Sequence, residues 1–419
     1  MRSSMNRLTD TAIIVTLIIT STCLAEDWPA FRGPNGHGVS NAVSIPVKWT
    51  DADYKWKLDL PGTGPSSPVI IDGKLFVTCA DASAPTGILL ALNAETGEQL
   101  WRKDYPLPKS KMNTLNSYAT CTPTLNDDSV YVIFSTAVET IVVALDHKGN
   151  EIFSKKFGPT YSSHGPGVSP CVVGDLVVFT HEQQKKETGL WIALDRRSGE
   201  PRWTIEIDNG QISYSTPCVY HPTGGQDQLI FTSTTHGITA VEPTSGRVAW
   251  EVKDAFIARV VSSPVIAGDI IIGSCGQGGG GKQIIAVKAP ATKSEKPTIV
   301  WKSSDRVTTQ YVPTGLYKDG LLYTCHDAGT IACRRADTGE ILWSEKPAGR
   351  FYGSPVWVDG KIYCITREGD CVVLKAGPKY RLLAVNSLGE ASDATPAIAN
   401  GKMYLRTKSK LMCLAPTDK

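Results

Sequence analysis

The sequence predicts an all-β fold: an eight-bladed β-propeller of four-stranded antiparallel blades, closed by pairing the N-terminal strand into the last blade. Three observations lead there. First, a small residue or Val precedes a Pro that opens an apolar run eight times, at Pro68, Pro123, Pro170, Pro217, Pro264, Pro313, Pro355 and Pro396, with spacings of 55, 47, 47, 47, 49, 42 and 41 residues. Periods in the forties, built from short strands, are those of propeller blades. Second, the distance from Pro to a closing Trp is 33 residues in three units: Pro68 to Trp101, Pro170 to Trp203 and Pro217 to Trp250. Third, the ends are complementary. Tyr54 to Leu60 is a closing strand with no partners before it, and the last unit, Pro396 to Leu414, has three strands and no closing one. Joining them hides two open sheet edges.

Each unit reads as four strands. In SPVIIDGKLFVT (67–78) an apolar run is reversed at Asp72-Gly73 and returns through Leu75 to Thr78, as a hairpin with a Gly-containing turn requires. A third run ends in Ala-Leu or Ala-Val, and Glu95-Thr96-Gly97 leads into a last strand that holds Trp101. The closing strands are marked by Trp56, Trp101, Phe153, Trp203, Trp250, Trp301 and Trp343, with a degenerate one near Arg381 to Leu383. These Trp residues are expected to dock between blades. The resulting division is a signal peptide at 1–25, an N-terminal extension at 26–53, the propeller at 54–415 and a C-terminal tail at 416–419.

Arg2 and Arg7 precede an apolar stretch from Thr11 to about Leu24, and Cys23-Leu24-Ala25 offers small residues at the cleavage positions. This is the pattern of a secretory leader, too short to span a bilayer, and it predicts a periplasmic or extracellular protein with no transmembrane segment. Lipid attachment at Cys23 is the rival reading, weakened by Thr20 and Thr22 ahead of it. A formal net charge of +2 gives no field that favours nucleic acid. The ten cysteines beyond Cys23 sit mostly within strands. They read as small buried hydrophobes, with a disulfide framework as the alternative. Around Glu368-Gly369 the expected cross-strand pairs are Thr366 with Cys371 and Cys364 with Val373. The run GQGGGGK (276–282) imitates a nucleotide loop but lies between two strands, so it reads as a hairpin tip.

The segments ALNAETGEQLW (91–101), ALDRRSGEPRW (193–203), AVEPTSGRVAW (240–250) and CRRADTGEILW (333–343) resemble the tryptophan-docking repeat of the pyrroloquinoline-quinone-like (PQQ-like) β-propellers. That family includes quinoprotein alcohol dehydrogenases and the outer-membrane assembly lipoprotein BamB. The resemblance covers roughly residues 45 to 415. The segments at 27–40 and 373–390 look most like secreted propellers of planctomycete-type bacteria. Fold follows from such a likeness, whereas function belongs to the site.

In a propeller the residues just ahead of each innermost strand ring one mouth of the central funnel. The candidates there are Arg259, Arg350, Tyr352, Tyr311, His164, Asp393, Tyr118 and Tyr214, a polar and aromatic set suited to a ligand pocket. The expected function is a non-catalytic binding or scaffold protein, a monomer that takes a protein or small-molecule ligand at the funnel face. The alternative implied by the resemblance is a quinoprotein dehydrogenase holding PQQ and calcium in the funnel. In it Asp393 would be the base and Arg350 or Arg259 the cation. The adjacent cysteine pair of those enzymes is missing, and no other metal site is expected.

Overall fold

Four of the hairpins that open a blade turn on an acidic or amide residue followed by Gly: Asp72-Gly73, Asp319-Gly320, Asp359-Gly360 and Asn400-Gly401. In each pair both residues have positive φ, between 47° and 80°. That is the two-residue turn whose twist matches the flanking strands, and it fixes the register, Ile71 facing Lys74 in the first case. The computed structural model describes residues 26–416 apart from 82, 166, 185–187, 209 and 279; residues 1–25, expected to be a signal peptide, and Cys23 among them, lie outside the described residues.

The strands form eight sheets, seven of four strands and one of five. Each blade begins with a strand of two or three residues at the channel, and its second and third strands are buried almost throughout, as in Lys74–Asp81 and Thr86–Asn93. Those strands are covered by blades on both faces, so their sequences run apolar instead of alternating. The outer strand is half exposed and does alternate, as in Glu151–Phe157. The ring closes where the sequence placed it: Tyr54–Asp59 pairs antiparallel with Lys410–Leu414, with Trp56 opposite Cys413.

Neighbouring blades are joined by a repeated contact. The indole N–H of Trp56 donates to the Ala94 carbonyl at 3.1 Å, Trp101 to His147 at 3.0 Å, Trp203 to Pro243 at 2.7 Å, Trp301 to Ala336 at 2.8 Å and Trp343 to Gly377 at 3.1 Å. Each ring lies on the outer turn of the next blade. A Cβ on Gly97, Gly246 or Gly339 would come within 2.8 Å of the docked ring, and all three have φ near 70–76°, so the position is closed to other residues. Trp203, Trp250 and Trp343 are buried, whereas Trp56, Trp101 and Trp301 keep part of their surface in solvent. Trp250 departs from the pattern and donates within its own blade, to Gln228 at 2.8 Å. The outer turn it would meet is a longer loop, 289–297, with no Thr-Gly turn for the ring to cover.

Two local expectations shift by a residue. Around Glu368-Gly369 the pairs are Ile365 with Cys371 and Cys364 with Val372. The hairpin has a three-residue loop that ends in Gly369 at φ 94°, with Thr366 closing onto Asp370, instead of a two-residue turn. In the sixth blade the position at the channel belongs to Thr314, one residue beyond Pro313. The ten described cysteines are all buried free thiols, and burial pushes Cys121 and Cys171 up to about 12, which leaves them unreactive.

Candidate functional site

The residue two positions ahead of each innermost strand carries a hydroxyl in every blade, and these form a closed circuit. The backbone N–H of Ser67 donates to Thr122, Thr122 to Ser169, Ser169 to Thr216, Thr216 to Ser263, Ser263 to Thr314, Thr314 to Ser354, Ser354 to Thr395 and Thr395 back to Ser67, at 2.9–3.3 Å. Each bond satisfies a channel-facing N–H that has no strand beside it.

Below this circuit the channel is blocked. The segment 26–40, expected only as an extension, crosses the lower end and bonds to blade after blade. Trp28 exchanges two backbone bonds with Ile70, the Pro29 carbonyl accepts from Leu125, and Val39–Ser40 adds a parallel strand beside Trp357 and Val358. The Asn35 side chain bonds both backbone groups of Val219 at 2.6 and 2.7 Å. Arg32, fully buried, donates to the Gly36 carbonyl at 2.8 Å and to the Gly315 carbonyl at 2.6 Å. Gly33 has φ 74°, and a Cβ there would strike the Trp28 ring at 2.7 Å, so the strap folds this tightly only with glycine.

The funnel is therefore a cavity closed below, with a volume of about 360 Å³. Six of the eight expected residues line it: His164, Tyr214, Arg259, Tyr311, Tyr352 and Asp393. With them stand the eight hydroxyl residues, Asn113, Leu115, Asn116, Val261, Val312 and, from the strap, Phe31. Two expected residues lie elsewhere. Tyr118 is buried and its hydroxyl bonds both backbone groups of Ser110, in the same loop, so that loop folds back on itself. Arg350 points to solvent and pairs with Glu368 at 2.9 Å. Its place beside Asp393 is taken by Arg367, whose Nε donates to Asp393 at 2.8 Å and whose guanidinium stacks 4.0 Å above the Tyr352 ring. Phe31 could not be assigned from the repeats, since the strap belongs to none of them. The hydroxyl circuit was legible, as a Ser or Thr before seven of the eight prolines.

Arg259 differs from the other two arginines. Its Nη1 reaches the Tyr311 hydroxyl at 3.3 Å and His164 Nε2 at 3.4 Å, while its Nε is buried without a partner. Guanidinium nitrogens only donate, so His164 Nε2 must accept, and the ring proton sits on Nδ1, 2.9 Å from the Ser163 hydroxyl. Desolvation first and Arg259 second hold the His164 pKa below its ordinary value, which keeps the imidazole neutral at pH 7. Tyr214 shares a 2.7 Å hydrogen bond with Ser162, and its burial raises its pKa.

A calcium-bound quinone does not fit this lining. Calcium takes six to eight oxygens and favours charged carboxylates among them, and the one carboxylate among the described lining residues, Asp393, is already engaged by Arg367. Among the described residues no group of three His, Cys, Asp or Glu could hold a metal ion.

Fold and funnel together define a class: an eight-bladed propeller of tryptophan-docking repeats around a channel open at one end. The family model described as outer membrane protein assembly factor BamB matches residues 46–160, 138–290 and 286–418, and the chain belongs to that family of PQQ-type repeat propellers. BamB of Yersinia pestis is 22% identical over 348 residues, spanning 79% of this chain and 80% of that protein. The crystal structure of BamB from Moraxella catarrhalis matches 87% of this chain and 98% of its own, at 13% identity and a TM-score of 0.61. A europium-containing methanol dehydrogenase matches 90% and 89%, at 12% identity and a TM-score of 0.67. At such identities the structural likeness establishes a common fold. Among the described residues no helix is long and apolar enough to cross a membrane.

Proposed function

We propose that the chain is a non-catalytic binding propeller of the periplasm or cell exterior, with its recognition surface at the open mouth of the funnel. The observation that carries this is the convergence of His164, Tyr214, Arg259, Tyr311, Tyr352 and Asp393 from six inter-blade loops onto one cavity, where folding alone asks for none of them. Exposed apolar side chains ring the same mouth: Leu115, Val138, Tyr161, Ile257 and Val307 are each 44–66% accessible and lie on its loops. They suit the body of a protein partner or of a larger ligand, in keeping with relatives named as assembly factors. The leader-like N-terminus supports the location.

The reading separates from quinoprotein catalysis in one experiment. Purified protein is soaked with PQQ and calcium, desalted, and assayed for quinone absorbance and for alcohol-dependent dye reduction. Neither should remain. Stoichiometric quinone retained only with calcium, together with dye reduction, would overturn the non-catalytic reading.

A further inference from the structure

The chemistry of the cavity specifies its ligand further, provided that the funnel is a binding site at all. Arg259, Arg350 and Arg367 flank the cavity, and two of them are ion-paired, Arg350 with Glu368 and Arg367 with Asp393. Arg259 alone of the three has only uncharged side-chain partners, Tyr311 and His164, and its Nε is buried unbonded. A partly desolvated cation without an anion is unfavourable, and a ligand that brings the anion relieves it. An amine would meet the opposite situation: it is repelled by Arg259, and Asp393 is already taken.

Between the hydroxyl and amide groups the wall also carries apolar surface. Leu115, Val261 and Val312 line the sides, and Phe31 forms the floor. A second cavity of about 350 Å³ lies beneath, lined by Phe31, Arg32 and the lower ends of several blades. Phe31, Thr216 and Ser263 border both spaces, so the Phe31 ring is the partition that stops a ligand's descent. A small inorganic anion would leave this surface unused.

We propose that the funnel holds an apolar organic acid, its anionic group paired with Arg259 and its body resting on Phe31. Phe31, from a segment outside the repeats, thereby sets the depth of the pocket.

Isothermal titration with 2-naphthoate and its neutral isostere 2-naphthamide tests this. The wild type should bind the acid at least about ten-fold more tightly than the amide, as one charge-assisted hydrogen bond implies. Arg259→Gln should bring the ratio near one, and Arg259→Lys, which keeps the charge, should retain part of it; equal thermal midpoints would show that both fold. Phe31→Ala should weaken acid and amide alike and preserve their ratio, and Arg350→Gln should change neither. A wild-type ratio near one, or a ratio that survives Arg259→Gln, overturns the acid assignment. If both probes then still respond to Phe31→Ala, the funnel remains a binding site for another class. Failure of both probes to bind at millimolar concentration removes the acid assignment and the funnel reading together.

Discussion

At the floor of the funnel most contacts involve backbone groups, whereas at the mouth the side chains converge. The floor has the hydroxyl circuit and the strap, whose bonds to Ile70, Leu125, Val219, Gly315 and Trp357 all end on main-chain atoms. Such bonds tolerate sequence change above and below them, and they repeat because the blades repeat. The mouth repeats nothing. Its loops place His164, Arg259, Tyr311 and Asp393 at different offsets from the circuit hydroxyls and with different chemistry around one cavity, and Arg259 among them has only uncharged side-chain partners. The floor thus holds the ring in shape, which frees the mouth to specialise.

The comparison breaks most severely at the ring closure. Removing residues 26–60 deletes the strap and the strand that pairs with Lys410–Leu414, exposing a sheet edge. The truncated chain should aggregate on expression, and a soluble monomer with an unchanged melting temperature would refute the closure as a stability element. Next in size is the blade contact: Trp203→Ala should cost about 3–5 kcal/mol in chemical denaturation, as a large buried truncation does. A loss below about 1 kcal/mol would mean that the indole does not hold blades together.

Floor and mouth are then compared by two arginines. Arg32→Leu leaves the Gly36 and Gly315 carbonyls without their donor and should cost about 1–3 kcal/mol. Arg259→Gln, in contrast, should stay within about 0.5 kcal/mol of wild type. Equal losses would erase the distinction.

Acid should weaken the fold modestly. Burial holds the pKa of His181 and His326 below the ordinary 6.5, so the unfolded chain binds more protons in the window below 6.5. Stability intact above that pH is then lost as the pH falls through the folded values. Melting temperature followed from pH 7.5 to 5 should fall, and His181→Gln should flatten the decline; a parallel decline in the variant would exclude His181 as a contributor. Smallest of all is the surface pair: Arg350→Ala should change stability by no more than about 0.5 kcal/mol, since its partner Glu368 is also solvent-exposed.

The repeat made the blades legible. Proline spacing gave their number, the unpaired terminal strands gave the closure, and the Trp-to-Gly offsets gave the docking contacts. What it could not give was anything outside the period. The strap is a single irregular segment, dense in positive φ at Arg32, Gly33, Asn35, Gly36 and Gly38, and its partners lie up to several hundred residues away. Arg350 stands on the loop ahead of the seventh blade and Arg367 on a hairpin tip within it, two stations that both border the mouth, so the sequence did not say which guanidinium faces inward. Only the pairing of Arg367 with Asp393 decides which guanidinium faces inward. Trp250 looked like its siblings because the difference lies in the loop of the next blade.

The most direct measurement is a crystal structure of the wild-type protein soaked with 2-naphthoate. Density is expected in the upper cavity, with the carboxylate within hydrogen-bond distance of Arg259 and the rings against Phe31, and with the strap still in place beneath. Naphthoate in the lower cavity, or on the outer surface with the funnel empty, would contradict a ligand site at the open mouth.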